Sequence, residues 1–231
     1  MNATALLLGA GQGTRLGAGP KAFVSLAGEP MLLRAGRAAA QAGTVGALVA
    51  AVPADLVEGA RVLLAELSVP VTVVAGRETR QGSARAALEA AGDVETVVVH
   101  DAARCLSPPD LFDRCVQALT PGVDGAVACA PVTDTPKRAE DGLVTQTLDR
   151  TGLWAAQTPQ AFRSAVYRRA HEAAESCSYE ATDDAALVER IGARVVVVSA
   201  PSWNLKVTTP EDIGVAEALL ATRSVESGRS G

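Results

Sequence analysis

Residues 6–23 read LLLGAGQGTRLGAGPKAF, an apolar run that ends at Leu8 and is followed by five glycines, one arginine and one lysine. This order predicts a buried strand and then a tight loop whose backbone N–H groups can approach ligand oxygens. The Walker phosphate loop is excluded, because its lysine follows a glycine whereas Lys21 follows a proline. The dinucleotide-binding fingerprint is excluded as well, because its third glycine falls on Thr14. We therefore expect a phosphate loop of a different kind.

Two cations of this segment support the phosphate prediction. Arg15 and Lys21 stand six residues apart on an extended turn, so they can approach a triphosphate from two sides. Arginine clamps phosphate oxygens with two N–H groups, whereas lysine acts as a compact charge. Among the 21 basic residues only Lys21, Lys137 and Lys206 are lysines, and each lies in a turn-rich stretch. Lysine is thus expected where a compact ammonium group is needed, with chance placement as the alternative.

The rest of the chain alternates short runs rich in Val, Ala and Leu with amphipathic segments. Runs of the first kind are typical of parallel strands buried on both faces, and segments of the second kind are typical of helices that cover a sheet. We predict an α/β fold with a mainly parallel sheet, flanking helices and right-handed crossovers. The predicted strands are residues 4–8, 46–52, 71–76, 95–101 and 124–132, and the predicted helices are residues 30–43, 55–67, 83–92 and 108–119.

One polar stretch interrupts this alternation. Residues 133–150 carry a turn signal at Asp141 and Gly142, and the flanks of that turn favour strands over helices. We predict a protruding β-hairpin arm. A two-stranded ribbon is marginally stable alone, so we expect the arm to lie against a second subunit. A mobile surface loop is the alternative.

The remaining predicted elements are helices near residues 163–175 and from Thr182, a strand over residues 193–199 and a last helix. At the start of the last helix Thr209 can act as the cap, Pro210 suits the first helical position and Asp212 supplies the returning carboxylate. We expect a single domain over residues 1–222 and a disordered tail over residues 223–231.

Composition excludes several classes of protein. The 231 residues are 48% hydrophobic, and the formal net charge of -5 argues against a general binder of nucleic acid or of membrane surfaces. A small anionic ligand held by a few local cations stays compatible with it. Neither the four irregularly spaced cysteines nor the two distant histidines suggest a zinc site or a disulfide framework. No segment approaches the length of an apolar membrane span, so a cytoplasmic location with buried, reduced thiols is expected.

Six ordered motifs identify a family. They are GAGQGTRLGAGPKAF, VHDAAR, APVTDTPKRA, DRTGLWAAQTPQAF, YEATDDAALVE and KVTTPED. Together they resemble the 2-C-methyl-D-erythritol 4-phosphate cytidylyltransferases of non-mevalonate isoprenoid biosynthesis, over residues 3–220. The resemblance implies a Rossmann-like fold of the nucleotide-diphospho-sugar transferase type. It also implies CTP as a substrate, Mg²⁺ as the cofactor and a homodimer whose arm completes the partner's site.

The resemblance also implies site residues. Arg15 and Lys21 would stabilise the transition state at the α-phosphate, while Arg150 and Lys206 would position the attacking phosphate. Asp101 and Thr135 would contact the methylerythritol phosphate, with Thr135 and Arg150 supplied by the neighbouring arm. The nucleotide would be surrounded by Ala10, Gly11, Gly13, Gly76 and Ser83. One departure concerns nucleotide selectivity, because the family usually opens with Pro-Ala-Ala-Gly where this chain has Leu8-Gly9-Ala10-Gly11.

The chemistry implied is attack of a sugar phosphate oxygen on the α-phosphorus of CTP with release of pyrophosphate. A phosphate monoester is mostly dianionic at neutral pH, so no general base is required, and cations are needed to neutralise the developing charge. Asp101, at a strand end, is expected to contact substrate hydroxyls, to orient a magnesium-bound water, or both, since Mg²⁺ on phosphates needs few protein ligands. The alternative for Asp101 is a turn cap before Arg104.

Other polar residues are expected to support the structure. His100 and Arg104 should hold their loop through hydrogen bonds. The pair Asp183 and Asp184 should favour the positive end of a helix, with a second metal site as the alternative. Trp154 should anchor the strand that returns from the arm.

Two rival functions come from the same fold. A ribitol-5-phosphate cytidylyltransferase would handle CTP in the same way, although DTPK at residues 134–137 and the DRTGLW run resemble the methylerythritol enzymes more closely. A catalytically silent nucleotide-binding subunit is the rival from a different class. The complete set of Arg15, Lys21, Arg150 and Lys206 argues against it.

Overall fold

The computed structural model describes residues 2–11, 13, 16 and 19–227. Its strands, in chain order, are β1 (Ala3–Leu8), β2 (Ser25–Leu26), β3 (Glu29–Pro30), β4 (Val45–Val52), β5 (Val71–Ala75), β6 (Thr96–Asp101), β7 (Gly125–Pro131), β8 (Lys137–Glu140), β9 (Leu143–Thr147), β10 (Trp154–Arg163) and β11 (Val195–Ser199). Its α-helices are α1 (Met31–Ala40), α2 (Val57–Leu64), α3 (Arg80–Ala90), α4 (Pro109–Gln117), α5 (Ser164–Ser176), α6 (Asp184–Glu189) and α7 (Pro210–Ser227). The α/β class and the positions of the predicted strands are confirmed.

Seven strands form one sheet in the order β11-β7-β10-β6-β1-β4-β5. All neighbouring pairs are parallel except those of β10, which runs antiparallel to both β6 and β7. The chain first builds outward from β1 through β4 to β5 and then returns to place β6 on the other side of β1. The crevice between the carboxyl ends of β1 and β6 is therefore a topological switch point, where open α/β sheets bind ligands.

Apolar side chains cover both faces of the sheet. One layer includes Leu32 of α1 and Phe112 of α4, and the opposite layer includes Leu88 of α3 and Tyr167 of α5. α3 lies on the opposite face from α1 and α2, because a right-handed crossover toward the other side of the sheet requires the opposite face. Small Ala and Val side chains fill most of both layers, which fits a chain with only 3% aromatic residues.

The predicted arm is a β-hairpin. β8 and β9 pair with each other in a separate two-stranded sheet, and every residue of both strands is exposed. Asp141 and Gly142 at the turn both have positive φ angles, as the turn signal predicts. β10 then carries the chain from the arm back into the main sheet beside β7, with Trp154 opposite Pro131. This confirms Trp154 as part of the returning strand.

Two element boundaries differ from the sequence prediction. α3 begins at Arg80 and not at residue 83, because the side chain of Thr79 caps it by accepting a hydrogen bond from the Gly82 N–H at 3.0 Å. α7 continues to Ser227, beyond the predicted domain end at residue 222, because adding residues to a formed helix costs little. Residues 228–231 lie outside the described part of the chain. None of the described helices has the length and hydropathy of a membrane span.

Candidate active site

A cavity of about 290 Å³ opens at the switch point. Its floor is formed by the ends of β1 and β6, where Leu8 and Asp101 face each other in the parallel register. Among the described residues that line it, four carry positive charge and two carry negative charge: Lys21, Arg77, Arg80, Lys206, Glu78 and Asp101. The lining therefore has an excess of positive charge, which suits a polyanionic ligand.

The glycine loop positions Lys21. Gly13 has a φ angle of 66°, and a Cβ atom there would lie 2.7 Å from the Gly19 carbonyl oxygen and 2.9 Å from the Lys21 Cβ. Only glycine fits this position without a shift of the backbone. The Lys21 N–H donates to the Gly11 carbonyl at 3.3 Å, so the loop folds back on itself and brings the lysine into the cavity. Arg15 lies outside the described residues.

Asp101 is held between two cations. Its Oδ1 accepts from Arg80 Nε at 3.0 Å, and its Oδ2 accepts from Lys206 Nζ at 2.6 Å. Burial raises the pKa of Asp101, but the charges of Arg80 and Lys206 outweigh burial and keep that pKa well below its ordinary value. Asp101 is therefore an anion at neutral pH, and its side chain is oriented at both oxygens. It does more than cap the turn before Arg104.

Lys206 and Lys21 approach the cavity from two different loops. The Lys206 side chain is 42% exposed, and Lys21 Nζ lies 3.5 Å from the Thr208 Oγ1 in the same segment as Lys206. The structure therefore brings two of the three lysines together. The third, Lys137, lies on the arm and donates to Thr147 Oγ1 at 2.8 Å.

Asn204, which is fully buried, fixes the backbone that carries Lys206. Its Nδ2 donates to Gln157 Oε1 at 2.8 Å and to the Thr158 carbonyl at 3.1 Å. Arg104 also donates to the Asn204 carbonyl at 2.8 Å. A main-chain hydrogen bond from the Val207 N–H to the Ala103 carbonyl, 2.9 Å long, joins this segment to the loop after β6.

His100 supports the same loop from below. Its Nε2 lies 3.2 Å from the Arg104 carbonyl oxygen, which can only accept, so Nε2 carries the proton and Nδ1 accepts from the Thr158 hydroxyl at 3.0 Å. The Thr158 oxygen in turn accepts from the Asp101 N–H at 3.0 Å. Burial lowers the pKa of His100 to about 4, so the ring is neutral at neutral pH. His100 and Arg104 are thus supporting residues, as predicted.

The loop between β5 and α3 forms another wall. Ser83 is buried, and its hydroxyl accepts from the Arg77 N–H at 3.0 Å and lies 3.1 and 3.0 Å from the Arg77 and Thr79 carbonyl oxygens, which share its one proton as acceptors. A Cβ at Gly76 would lie 2.3 Å from Ala10 Cβ and 2.9 Å from Ser83 Oγ. The loop after β5 and the glycine loop therefore touch at Gly76. Ala10, Gly11, Gly13 and Ser83 line the cavity, and Gly76 lies directly behind Ala10 and Ser83.

The departure at Gly9 faces the protein core. A Cβ at this position would approach Ala22 Cβ at 3.0 Å and Leu32 Cδ1 at 3.1 Å, which requires those neighbours to move by a few tenths of an ångström. Glycine at this position therefore relieves crowding under the loop.

The predicted arm residues do not line this cavity. Thr135 and Arg150 are both exposed, and Arg150 donates to the Thr133 carbonyl at the base of the arm. The described cavity lining includes neither residue. Within one chain, the site therefore joins Lys21, Lys206 and Asp101 but leaves the two arm residues apart.

The acidic pair separates into two structural roles. Asp183 caps α6 by accepting from the Ala186 N–H at 2.9 Å, which confirms the prediction for the helix terminus. Asp184 is 2% exposed and forms an ion pair with Arg80, Oδ2 to NH2, at 2.7 Å. No cluster of three or more His, Cys, Asp or Glu side chains suited to a metal occurs among the described residues.

Three cysteines, Cys105, Cys115 and Cys129, are buried free thiols. Burial raises the pKa of Cys105 and Cys129 to about 11 and that of Cys115 to about 12.

Arg80 and Asn204 are site residues that the sequence analysis did not find. Burial lowers the pKa of Arg80, but Asp184 and Asp101 together raise it above the ordinary value, so the guanidinium is a permanent cation. A signal for Arg80 existed: Thr79, three residues after the glycine that follows β5, is a good cap residue, which puts Arg80 in the first turn of α3. No comparable signal marks Asn204, because only the fold brings it beside Thr158.

Comparisons with known proteins agree with this geometry. The family model described as 2-C-methyl-D-erythritol 4-phosphate cytidylyltransferase matches residues 3–222. This chain belongs to that family. A 2-C-methyl-D-erythritol 4-phosphate cytidylyltransferase of Rhodococcus jostii is 47% identical over 218 residues, 94% of each chain, and one of Deinococcus radiodurans is 45% identical over 226 residues, 97% of this chain and 91% of that one.

Solved structures of the family share the fold. The 4-diphosphocytidyl-2C-methyl-D-erythritol synthase of Anaerococcus prevotii superposes with a TM-score of 0.84 at 25% identity, over 95% of this chain and 98% of that one. The 2-C-methyl-D-erythritol 4-phosphate cytidylyltransferase of Thermus thermophilus gives a TM-score of 0.76 at 31% identity, over 95% and 98%. The Rossmann-like architecture predicted from the six motifs is thereby confirmed, and members of the 2-C-methyl-D-erythritol 4-phosphate cytidylyltransferase family are nucleotidyltransferases.

Proposed function

We propose that this protein transfers the cytidylyl group of CTP to 2-C-methyl-D-erythritol 4-phosphate and releases pyrophosphate, as a step of non-mevalonate isoprenoid biosynthesis. The observation that carries the proposal is the meeting of Lys21, Lys206 and Asp101 in one cavity at the switch point between β1 and β6. This arrangement suits a reaction between two polyanions, because it supplies fixed cations and one oriented carboxylate.

Charge neutralisation is the main task of the site. In the transition state, negative charge gathers on the α-phosphoryl oxygens and on the departing pyrophosphate. Lys21 follows the loop that would hold the triphosphate, so it is assigned to the α-phosphate, together with Arg15. No general base is needed because the attacking phosphate is already mostly a dianion at neutral pH. This fits a site in which His100 is buried and occupied by two hydrogen bonds.

Lys206 is assigned to the attacking phosphate. Its ammonium group contacts Asp101 Oδ2 at 2.6 Å but is partly exposed to the cavity. A phosphate dianion carries more negative charge than a carboxylate, so an incoming acceptor can attract Lys206 away from Asp101. Asp101 then keeps its contact with Arg80 and presents its freed oxygen to the acceptor hydroxyls.

Magnesium fits this donor set in a limited way. Among the described residues two carboxylates line the cavity, Glu78 on the wall after β5 and Asp101 on the floor, and Mg²⁺ bound to nucleotide phosphates takes few ligands from the protein. Asp101 would hold the ion together with the triphosphate. The ion would supply additional positive charge for the phosphates. Chelation of Mg²⁺ is expected to abolish turnover, whereas excess Mg²⁺ restores it.

The arm is proposed to complete the site of a second subunit. Leu143 and Val144 near its tip are 73% and 62% exposed, so the hairpin offers apolar surface to a partner. Arg150 and Thr135 would then contact the acceptor in the neighbouring cavity. In a homodimer of this kind, mixing inactive Arg150→Ala subunits with inactive Lys21→Ala subunits should restore part of the activity. Verified subunit exchange without any rescue would put all these residues in one chain's own site.

The location proposed for the reaction is the cytoplasm. Cys105, Cys115 and Cys129 are buried free thiols, which is typical of a protein kept in a reducing compartment.

The product identifies the reaction. Phosphorus NMR of a mixture of the protein, Mg²⁺, CTP and methylerythritol phosphate should show loss of the monoester signal and growth of a diphosphate diester with pyrophosphate. Binding of CTP, measured by calorimetry, without formation of that diester would support a silent nucleotide-binding protein.

A further inference from the structure

Four alternating charges form a row that extends from the cavity into the protein. Lys206 contacts Asp101 at 2.6 Å, Asp101 contacts Arg80 at 3.0 Å, and Arg80 contacts Asp184 at 2.7 Å. The two ends of the row differ most in exposure: the Lys206 side chain is 42% exposed and that of Asp184 2%, with Asp101 at 10% and Arg80 at 31% between them. The outer end of the row lies in the cavity, whereas the inner end is buried.

Asp184 is rigidly held at that inner end. It is the first residue of α6, and its Oδ1 accepts the hydroxyl of the fully buried Tyr167 at 2.5 Å. Tyr167 stacks on Phe162 with ring centroids 4.9 Å apart and meets His171 edge-on at 4.6 Å. The contact from Arg80 NH2 to Asp184 Oδ2 is close, but its alignment is poor for a hydrogen bond, so charge dominates it.

Arg80 divides its guanidinium between the two carboxylates. Nε donates to Asp101 and NH2 lies against Asp184, so each carboxylate contacts a different nitrogen of the same planar group. This geometry fixes the side chain of Arg80 at two points. A guanidinium held at one point only, beside a cavity that fills with phosphates, would be free to turn toward them.

We propose that Asp184 is a positioning residue that acts through Arg80 on Asp101. It anchors the guanidinium so that Asp101 keeps one cationic partner and a fixed orientation when Lys206 moves to the acceptor phosphate. The inference rests on the function proposed above, in which Asp101 and Lys206 serve the acceptor. It extends that function to a buried carboxylate on α6 that does not line the cavity.

The test compares two isosteric changes at adjacent positions. Asp184→Asn keeps an acceptor for Tyr167 but presents an uncharged group to Arg80, and kcat/KM for methylerythritol phosphate should fall at least about tenfold. KM for CTP should stay within about twofold of wild type, since Asp101 and Lys206, on which the row acts, are assigned to the acceptor and not to the nucleotide. Asp183→Asn is the matched control: it keeps the cap of α6, gives up the contact with Gln160 Nε2, and leaves Arg80 untouched.

The control should leave acceptor kinetics within about twofold of wild type, whatever it costs in thermal stability. Equal losses for CTP and acceptor in Asp184→Asn, or an acceptor defect of the same size in Asp183→Asn, would overturn the proposal. Wild-type turnover is measured in the same series. Its absence would mean that the proposed function is wrong, and normal turnover with unaffected Asp184→Asn kinetics would mean that only this inference is wrong.

A double-mutant cycle separates positioning from general support. Arg80→Lys keeps the charge, but its single ammonium group cannot bridge both carboxylates, so it should produce the same defect toward the acceptor. Adding Asp184→Asn to Arg80→Lys should then cost no more than about twofold. Additive losses would show that Asp184 does not act through Arg80. If Asp184→Asn does not fold, Arg80→Lys alone decides: normal acceptor kinetics would contradict the proposal.

Discussion

Protonation of buried His171 is expected to make this protein sensitive to acid. The His171 side chain lies on α5 and is 3% exposed, and its Nε2 has no hydrogen-bond partner among the described residues. Burial lowers the pKa of His171 from 6.5 to about 4. Below about pH 6.5 the unfolded chain therefore binds a proton at this position that the folded chain does not bind, and the free energy of unfolding falls until about pH 4.

The size of the effect follows from the two pKa values. Between about pH 7.5 and about pH 4.5 a histidine shifted in this way removes roughly 2–3 kcal/mol from the free energy of unfolding. Below about pH 4 the ring is protonated in both states, so the loss levels off. Other groups titrate in the same range, and a variant that lacks only this ring isolates its share.

His171→Leu supplies that comparison, because leucine is apolar and similar in volume. Urea unfolding at several pH values should show that wild type loses about 2–3 kcal/mol more than His171→Leu between about pH 7.5 and about pH 4.5. Arg169→Leu on the exposed side of the same helix leaves the buried ring of His171 in place, and it should follow wild type. Parallel curves for wild type and His171→Leu would refute the assignment of a neutral, buried ring.

Three changes test the construction of the site. Gly76→Ala places a Cβ 2.3 Å from Ala10 Cβ, so it should raise KM for CTP about tenfold and cost roughly 1–3 kcal/mol of stability, whereas Gly59→Ala, with open space around it, should do neither. Asn204→Ala removes buried hydrogen bonds behind Lys206, so it should lower the free energy of unfolding, measured in urea, by about 2 kcal/mol or more and raise KM for the acceptor. An unchanged free energy of unfolding would show that Asn204 does not support this segment. Lys21→Ala should lower kcat far more than it raises KM for CTP, whereas the control Arg61→Ala, on the remote surface, should change neither. An effect of Lys21→Ala on KM alone would show that Lys21 acts in binding only.

The position of the site could be predicted because it depends on strand ends. Asp101 ends a run of apolar residues, and the carboxyl ends of parallel strands meet at one edge of the sheet. The glycine loop after β1 could be placed at that edge for the same reason. Lys206 was singled out as one of three lysines in turn-rich stretches, but its role was assigned only through the family resemblance, since its segment has no regular secondary structure.

Other parts of the site depend on tertiary packing that no local pattern encodes. Arg80 and Asp184 belong to different helices, and they meet because α3 and α6 cover the same face of the sheet. The two acids at 183 and 184 look equivalent in the sequence. The first turn of α6 directs Asp183 to the helix cap and Asp184 to the core, where Tyr167 and Arg80 are its partners.

The arm, in contrast, could be predicted from its local sequence. Its turn residues, and flanks that favour strands over helices, predicted a hairpin that the fold contains. What the arm contacts stays a prediction, as do the roles assigned to Thr135 and Arg150.

The most direct test of the central claim is the initial rate of pyrophosphate release by the wild-type protein with Mg²⁺, each of the four nucleoside triphosphates and either methylerythritol phosphate or ribitol 5-phosphate. We expect release only with CTP and methylerythritol phosphate. Release with ribitol 5-phosphate, or with another nucleotide at a comparable rate, would contradict the specificity proposed for this cavity, and no release with any pair would contradict the reaction itself.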